Sequence, residues 1–107
     1  MAADPRNVEL LYFAGCPNLA PTRSLVEAVA DETRVPVRIE LHEVGLDEVE
    51  AVRFLGSPSL RVDGHDVEPG ADHRQTFMYA CRVYRTERGL SGQPAREWVR
   101  SALLTTS

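Results

Sequence analysis

The stretch "LLYFAGCPNLAP" (residues 10–21) places a cysteine, Cys16, at the end of an apolar run and directly before a helical pattern. To its left, "NVELLYFA" (residues 7–14) is almost continuously apolar, as expected of a central strand buried on both faces. To its right, residues 19–33 turn helical. Leu25, Val26 and Val29 form one stripe, and Arg23, Glu27 and Glu32 fall elsewhere. Cys16 therefore sits at a strand-to-helix junction. If Asn18 is the N-cap, Pro21 falls in the first turn and breaks no helical bond. If Cys16 is the cap, Pro17 takes the first helical position and Pro21 kinks the first turns. Either way the sulfur lies within reach of a helix terminus, whose unpaired N–H groups and dipole favour a thiolate. The competing reading is a small buried residue with no chemistry.

Working outward, "VPVRIELHEV" (residues 35–44) alternates. Val35, Val37, Ile39 and Leu41 share one face, and Arg38, Glu40 and His42 the other, which predicts a one-sided edge strand. "GLDEVEAVRFLG" (residues 45–56) reads as a short helix, with Asp47 and Glu48 in its first turn and Gly56 as its stop. In "SPSLRVDGHDV" (residues 57–67), Leu60 and Val62 alternate with Ser59 and Arg61. Asp63-Gly64 then supplies a favoured two-residue hairpin turn, and residues 65–67 form the return strand. "PAREWVRSALL" (residues 94–104) closes the chain as a helix. Pro94 suits its first position, and Ala95, Trp98, Val99, Ala102 and Leu103 make its buried stripe.

The chain has 107 residues, which suits one domain, and a formal net charge of −4. That balance argues against a partner that is a nucleic acid or an anionic membrane surface. Two distant cysteines do not make a disulfide-stapled secreted scaffold. With no apolar leader and no run of membrane-spanning length, a cytoplasmic protein is the expectation.

The order β-α-β-α-β-β-α, together with Cys16-Pro17-Asn18-Leu19, the "GSPSLRVDG" loop and the "DGHDVEPG" hairpin, resembles the thioredoxin-like superfamily. It is most similar to a group of small bacterial thioredoxin-like proteins with a G-C-P-N start, some described as resembling alkylmercury lyase. The resemblance implies an α/β sandwich with a four-stranded mixed sheet, its first and third strands central and helices on both faces. It also implies that Pro58 is the cis-proline facing the active-site cysteine. Residues 68–93 would then be a cover over that end of the sheet. The chain departs from the dithiol pattern Cys-x-x-Cys, because Leu19 stands where the second cysteine belongs.

Cys16 is thus the candidate attacking thiolate, and Pro17, Asn18, Ser57 and Pro58 the candidate substrate-binding residues. A cis Ser57–Pro58 bond would expose the Ser57 backbone to pair with an extended thiol peptide or with glutathione. A trans proline would merely end the preceding helix. Cys81 has three readings: a resolving thiol for Cys16, a partner with Cys16 for a soft metal such as mercury, or a packed hydrophobe. Function divides accordingly into a thiol-dependent oxidoreductase of thiol–disulfide or peroxide type with glutathione or another thiol as co-substrate, a soft-metal or organomercurial binder, and a redox-inactive interaction module. His42 and His65 are expected at the surface, and Arg82 and Arg85 in surface contacts. Phe77, Met78 and Trp98 are expected in the core. Two cysteines and three scattered histidines show no zinc spacing.

Overall fold

A computed structural model describes residues 4–105. The apolar run around Leu10 becomes β1 (Arg6–Tyr12), and Leu19–Thr33 becomes the helix α1. Next come β2 (Val37–Glu43), the β3–β4 hairpin (Ser59–Val62 and His65–Asp66) and a second hairpin of β5 (Tyr84–Thr86) and β6 (Gly89–Ser91). The last element is α2 (Arg96–Leu104). Four strands form one mixed sheet in the order β2-β1-β3-β4. β1 runs parallel to β2 and antiparallel to β3, which pairs antiparallel with β4. β1 and β3 are therefore central, and β2 is an edge. The hairpin turn is built on Asp63 and Gly64, both with positive φ (50° and 88°), the geometry that Asp-Gly suits. The Asp63 carboxylate accepts from Arg6 Nη1 at 2.7 Å and from the Asn7 N–H at 3.0 Å, tying the turn to the start of β1. The same bonds hold its carboxyl below the usual carboxylate range.

The period of two along β1 sends Val8 and Leu10 to one face and Leu11 to the other. On the first face they meet Leu60 and Val62 of β3, Val26 and Val29 of α1, and Val99 and Leu103 of α2. α1 and α2 pack against each other over this single core. Val37 and Ile39 of the edge strand join it, whereas Leu41 stays 44 % exposed. α2 begins two residues later than the sequence suggests, with Ala95 as N-cap and Pro94 buried just ahead of it.

The second face corrects the expectation of helices on both sides. Leu11 there packs with Val44, Val49 and Phe54, but residues 45–56 form only one 3₁₀ turn, Leu46–Glu48, followed by irregular turns. Their backbone bonds change span at each step. Val52 N–H reaches Glu48 O, Arg53 N–H reaches Glu50 O, and Phe54 N–H reaches Val49 O. Arg53 takes a positive φ of 56°, and the Arg61 guanidinium donates to the Val52 and Arg53 carbonyls. Burying Val49 and Phe54 together demands a five-residue spacing that a regular helical ladder does not place on one face. Phe77 packs against this cluster, whereas Met78, expected beside it in the core, is 45 % exposed.

Gly56 marks where a later segment approaches. Its φ is +110°, and a Cβ there would lie 3.0 Å from Ala80 O and 3.1 Å from Arg82 Cα. Gly64 also has a positive φ but open space around it. Gly56→Ala is expected to cost about 1–3 kcal/mol from backbone strain alone, and more through displacement of residues 80–82. Gly64→Ala should cost only the strain. Urea denaturation of the two variants decides the point, and equal losses would contradict a close approach at Gly56.

Candidate functional site

Cys16 lies in the connection from β1 to α1, half-buried, with its N–H donating to Phe13 O at 3.3 Å. Asn18 is the N-cap of α1, and Pro21 falls in the first turn without breaking a bond, which settles the choice between the two caps. The Asn18 side chain makes no capping bond. Instead Gly92, just past β6, packs so closely on the Asn18 amide that no Cβ would fit between them. Pro17 is exposed beside them.

Ser57, two residues before β3, joins three segments. The Ser57–Pro58 peptide is cis. The Ser57 hydroxyl accepts from the Phe13 N–H at 3.1 Å, which fixes the start of the Cys16 connection. Its own N–H donates to Ala80 O at 2.8 Å, and its carbonyl accepts from the Arg82 N–H at 2.9 Å. Ser57 and Cys81 are therefore partners in a parallel bridge. The backbone that the sequence reading leaves open for a substrate strand is already paired with the chain's own residues 80–82.

After a bend at Tyr79 and Ala80, burial alternates from Cys81 to Tyr84. Arg82 and Tyr84 are buried, while Tyr79, Cys81 and Val83 are exposed. The Tyr79 ring packs on Phe13 with centroids 5.2 Å apart. Cys81 is tied to the start of the Cys16 connection through its bridge to Ser57, whose hydroxyl holds the Phe13 N–H. Cys16 and Cys81 are both free thiols. β1 ends next to the start of β3, where Leu11 pairs with Ser59, so both cysteines belong to one end of the sheet.

On the inward side, Arg82 corrects the expectation of a surface contact. Its guanidinium is 3 % exposed and donates to both Asp66 oxygens (2.7 and 2.9 Å), to Glu68 Oε1 (2.9 Å) and to Ser59 Oγ (3.1 Å). Burial by itself would lower the pKa of Arg82, but the Asp66 and Glu68 carboxylates reverse that and hold it charged. The guanidinium also lies over the Tyr84 ring, 4.3 Å from its centroid. Burial pushes the Tyr84 phenol well above its ordinary range, which keeps it a neutral donor to Pro58 O at 2.6 Å. Its ring in turn meets Trp98 of α2. Asp66 ends β4 and Glu68 stands two residues on, in the bend that follows. That pair of closely spaced carboxylates is the signal that points to a buried cation.

The remaining candidates are peripheral. His42 is half-buried between Glu9 (3.6 Å) and Glu48 (3.5 Å) instead of facing open solvent. His65 contacts Asp72 at 3.1 Å, and Arg85 is exposed. Among the described residues no group of three or more His, Cys, Asp or Glu side chains is placed to hold a metal ion, and no helix is long and apolar enough to cross a membrane.

Arg82→Met keeps much of the volume but leaves Asp66 without its cation. Removing one partner of a buried pair costs about 3–5 kcal/mol. That loss is the expected result in chemical denaturation, with faster alkylation of Cys81 as its segment loosens. A loss below about 1 kcal/mol would place the pair among ordinary surface contacts.

No family model matches this chain, and neither a curated protein nor a solved structure is found to match it.

Proposed function

We propose that this protein is a thioredoxin-like thiol–disulfide oxidoreductase in which Cys16 is the attacking thiolate and Cys81 the resolving thiol. The observation that carries this reading is the bridge between Cys81 and Ser57, the residue whose hydroxyl also holds the start of the Cys16 connection. The sheet order, the cysteine between β1 and α1, and the proline ahead of β3 support it through the resemblance to the superfamily.

The chemistry balances as a two-electron exchange. The Cys16 thiolate attacks a substrate disulfide, forming a mixed disulfide and releasing one thiolate. The Cys81 thiolate then attacks Cys16 Sγ, forming the Cys16–Cys81 bond and releasing the second thiolate. The substrate disulfide is reduced to two thiols, and the two protein thiols are oxidised to one disulfide. A low-molecular-weight thiol, glutathione or a similar one, resets the pair. The second step needs the two Cα atoms within about 4.4–6.8 Å, reached by movement of the Cys16 connection, since residues 80–82 are hydrogen-bonded in place. With Ser57 already paired, a small disulfide suits the site better than an extended polypeptide.

Exposure to oxidised glutathione, followed by mass spectrometry, tests the assignment. The native chain is expected to accumulate an internal disulfide, and Cys81→Ser a stable glutathione adduct on Cys16. An adduct that persists on the native chain would remove Cys81 from the mechanism and leave resolution to an external thiol. No reaction at Cys16 in either chain would end the oxidoreductase reading.

A further inference from the structure

We infer that the cleft lined by Arg53, Arg61, Arg74, Asp66, Asp72 and Phe77 is a binding site for a compact oxyanion group, a phosphate or a carboxylate. The cleft has a volume of about 100 Å³. That is well below the ~300–1,000 Å³ of sites that enclose a whole drug-sized ligand, so it suits one charged group. This inference does not depend on the redox reading.

Three arginines from separate segments converge here in a chain whose net charge is −4. Like charges gathered around one cleft repel unless something offsets them. For two of the three, the hydrogen-bond partners are neutral carbonyls, and the Asp72 carboxylate feels the Arg61 charge without bonding to it. Arg61 donates through Nη2 to the carbonyls of Val52 and Arg53, at 2.7 and 3.1 Å. Arg53 donates to Arg74 O at 3.3 Å and lies over the Phe77 ring, 4.8 Å from its centroid. Neither forms an ion pair with a carboxylate among the described residues. Arg74 is bonded to Glu68 Oε2 at 2.9 Å through one nitrogen.

The carboxylates of the cleft take their hydrogen bonds from other groups. Asp66 receives both arms of Arg82 and the Glu68 N–H. Asp72 receives the Asp66 N–H at 3.0 Å and contacts His65 Nδ1 at 3.1 Å. Arg53 and Arg61 are thus held in place by backbone carbonyls, with their remaining N–H donors uncommitted. A guanidinium has five donors in a planar fork that matches phosphate and carboxylate oxygens. Two such forks held beforehand lose little side-chain freedom when an anion enters.

The test is a titration of the whole chain with inorganic phosphate and, in parallel, with acetate. Ionic strength is held constant with chloride, and the arginine side-chain Nε–H resonances are followed by NMR. The proposal expects saturable shifts at Arg53 and Arg61 with at least one of the two anions, and the stronger binder names the group. Arg61→Gln should weaken binding by at least about tenfold, the loss of a charge-assisted hydrogen bond. Because Arg61 also bonds backbone carbonyls, Arg53→Gln at an exposed turn serves as a second variant, with the same expected direction. Shifts that stay linear with both anions would overturn the site. So would saturable binding that neither variant weakens.

Discussion

A guanidinium buried between two carboxylates is costly to build, because its desolvation offsets most of the Coulombic gain. Arg82 is such a group, and its worth lies in position more than in net stability. It leaves the 80–84 segment one seat, with the fork on Asp66, the second nitrogen on Glu68 and the guanidinium plane over Tyr84. A shift of one residue would put Cys81 inward and Arg82 outward, leaving Asp66 without its cation and Glu68 with Arg74 alone. The ion pair therefore sets the register of the Ser57–Cys81 bridge, and through Tyr84 and Trp98 it also links the segment to α2. Gly56 makes the same approach possible from below, since a side chain there would meet residues 80 and 82.

From that register follows the character of the candidate site. Proteins that accept an extended partner on a sheet edge do so with unpaired backbone groups. Here the N–H and carbonyl of Ser57 bond to residues 80 and 82, and the partner strand is part of the same chain. What remains open is the half-buried Cys16 together with the exposed Cys81 and Tyr79. Leu19 rules out a Cys-x-x-Cys spacing, and Cys81 is the only other cysteine of the chain.

Much of the sheet was readable in the sequence because local physics decides it. The nearly continuous apolar run at residues 7–14, the alternation at 35–41 and the Asp-Gly turn each have one dominant cause. Residues 45–56 were not readable: their composition suits a helix, but their burial is set by Leu11 and Phe77 across the second face. Met78 and Arg82 exchange their expected environments for a related reason. Hydrophobicity predicts burial for the first and exposure for the second, yet Arg82 lies opposite two carboxylates and Met78 has no cluster to join. The residue types of the candidate site are visible in the chain. The pairing of Ser57 with Cys81 is not, since it joins residues 24 apart through a segment with no periodic signal.

The central claim is that residues 80–82 are a fixed part of the sheet end, held by Ser57 outside and Arg82 inside. Native-state hydrogen exchange of the Ser57 and Arg82 amides measures this directly. The account predicts that both exchange together and nearly as slowly as the Leu10 amide in central β1. Exchange as fast as at Gln75 or Thr76, in the exposed stretch before the segment, would contradict it.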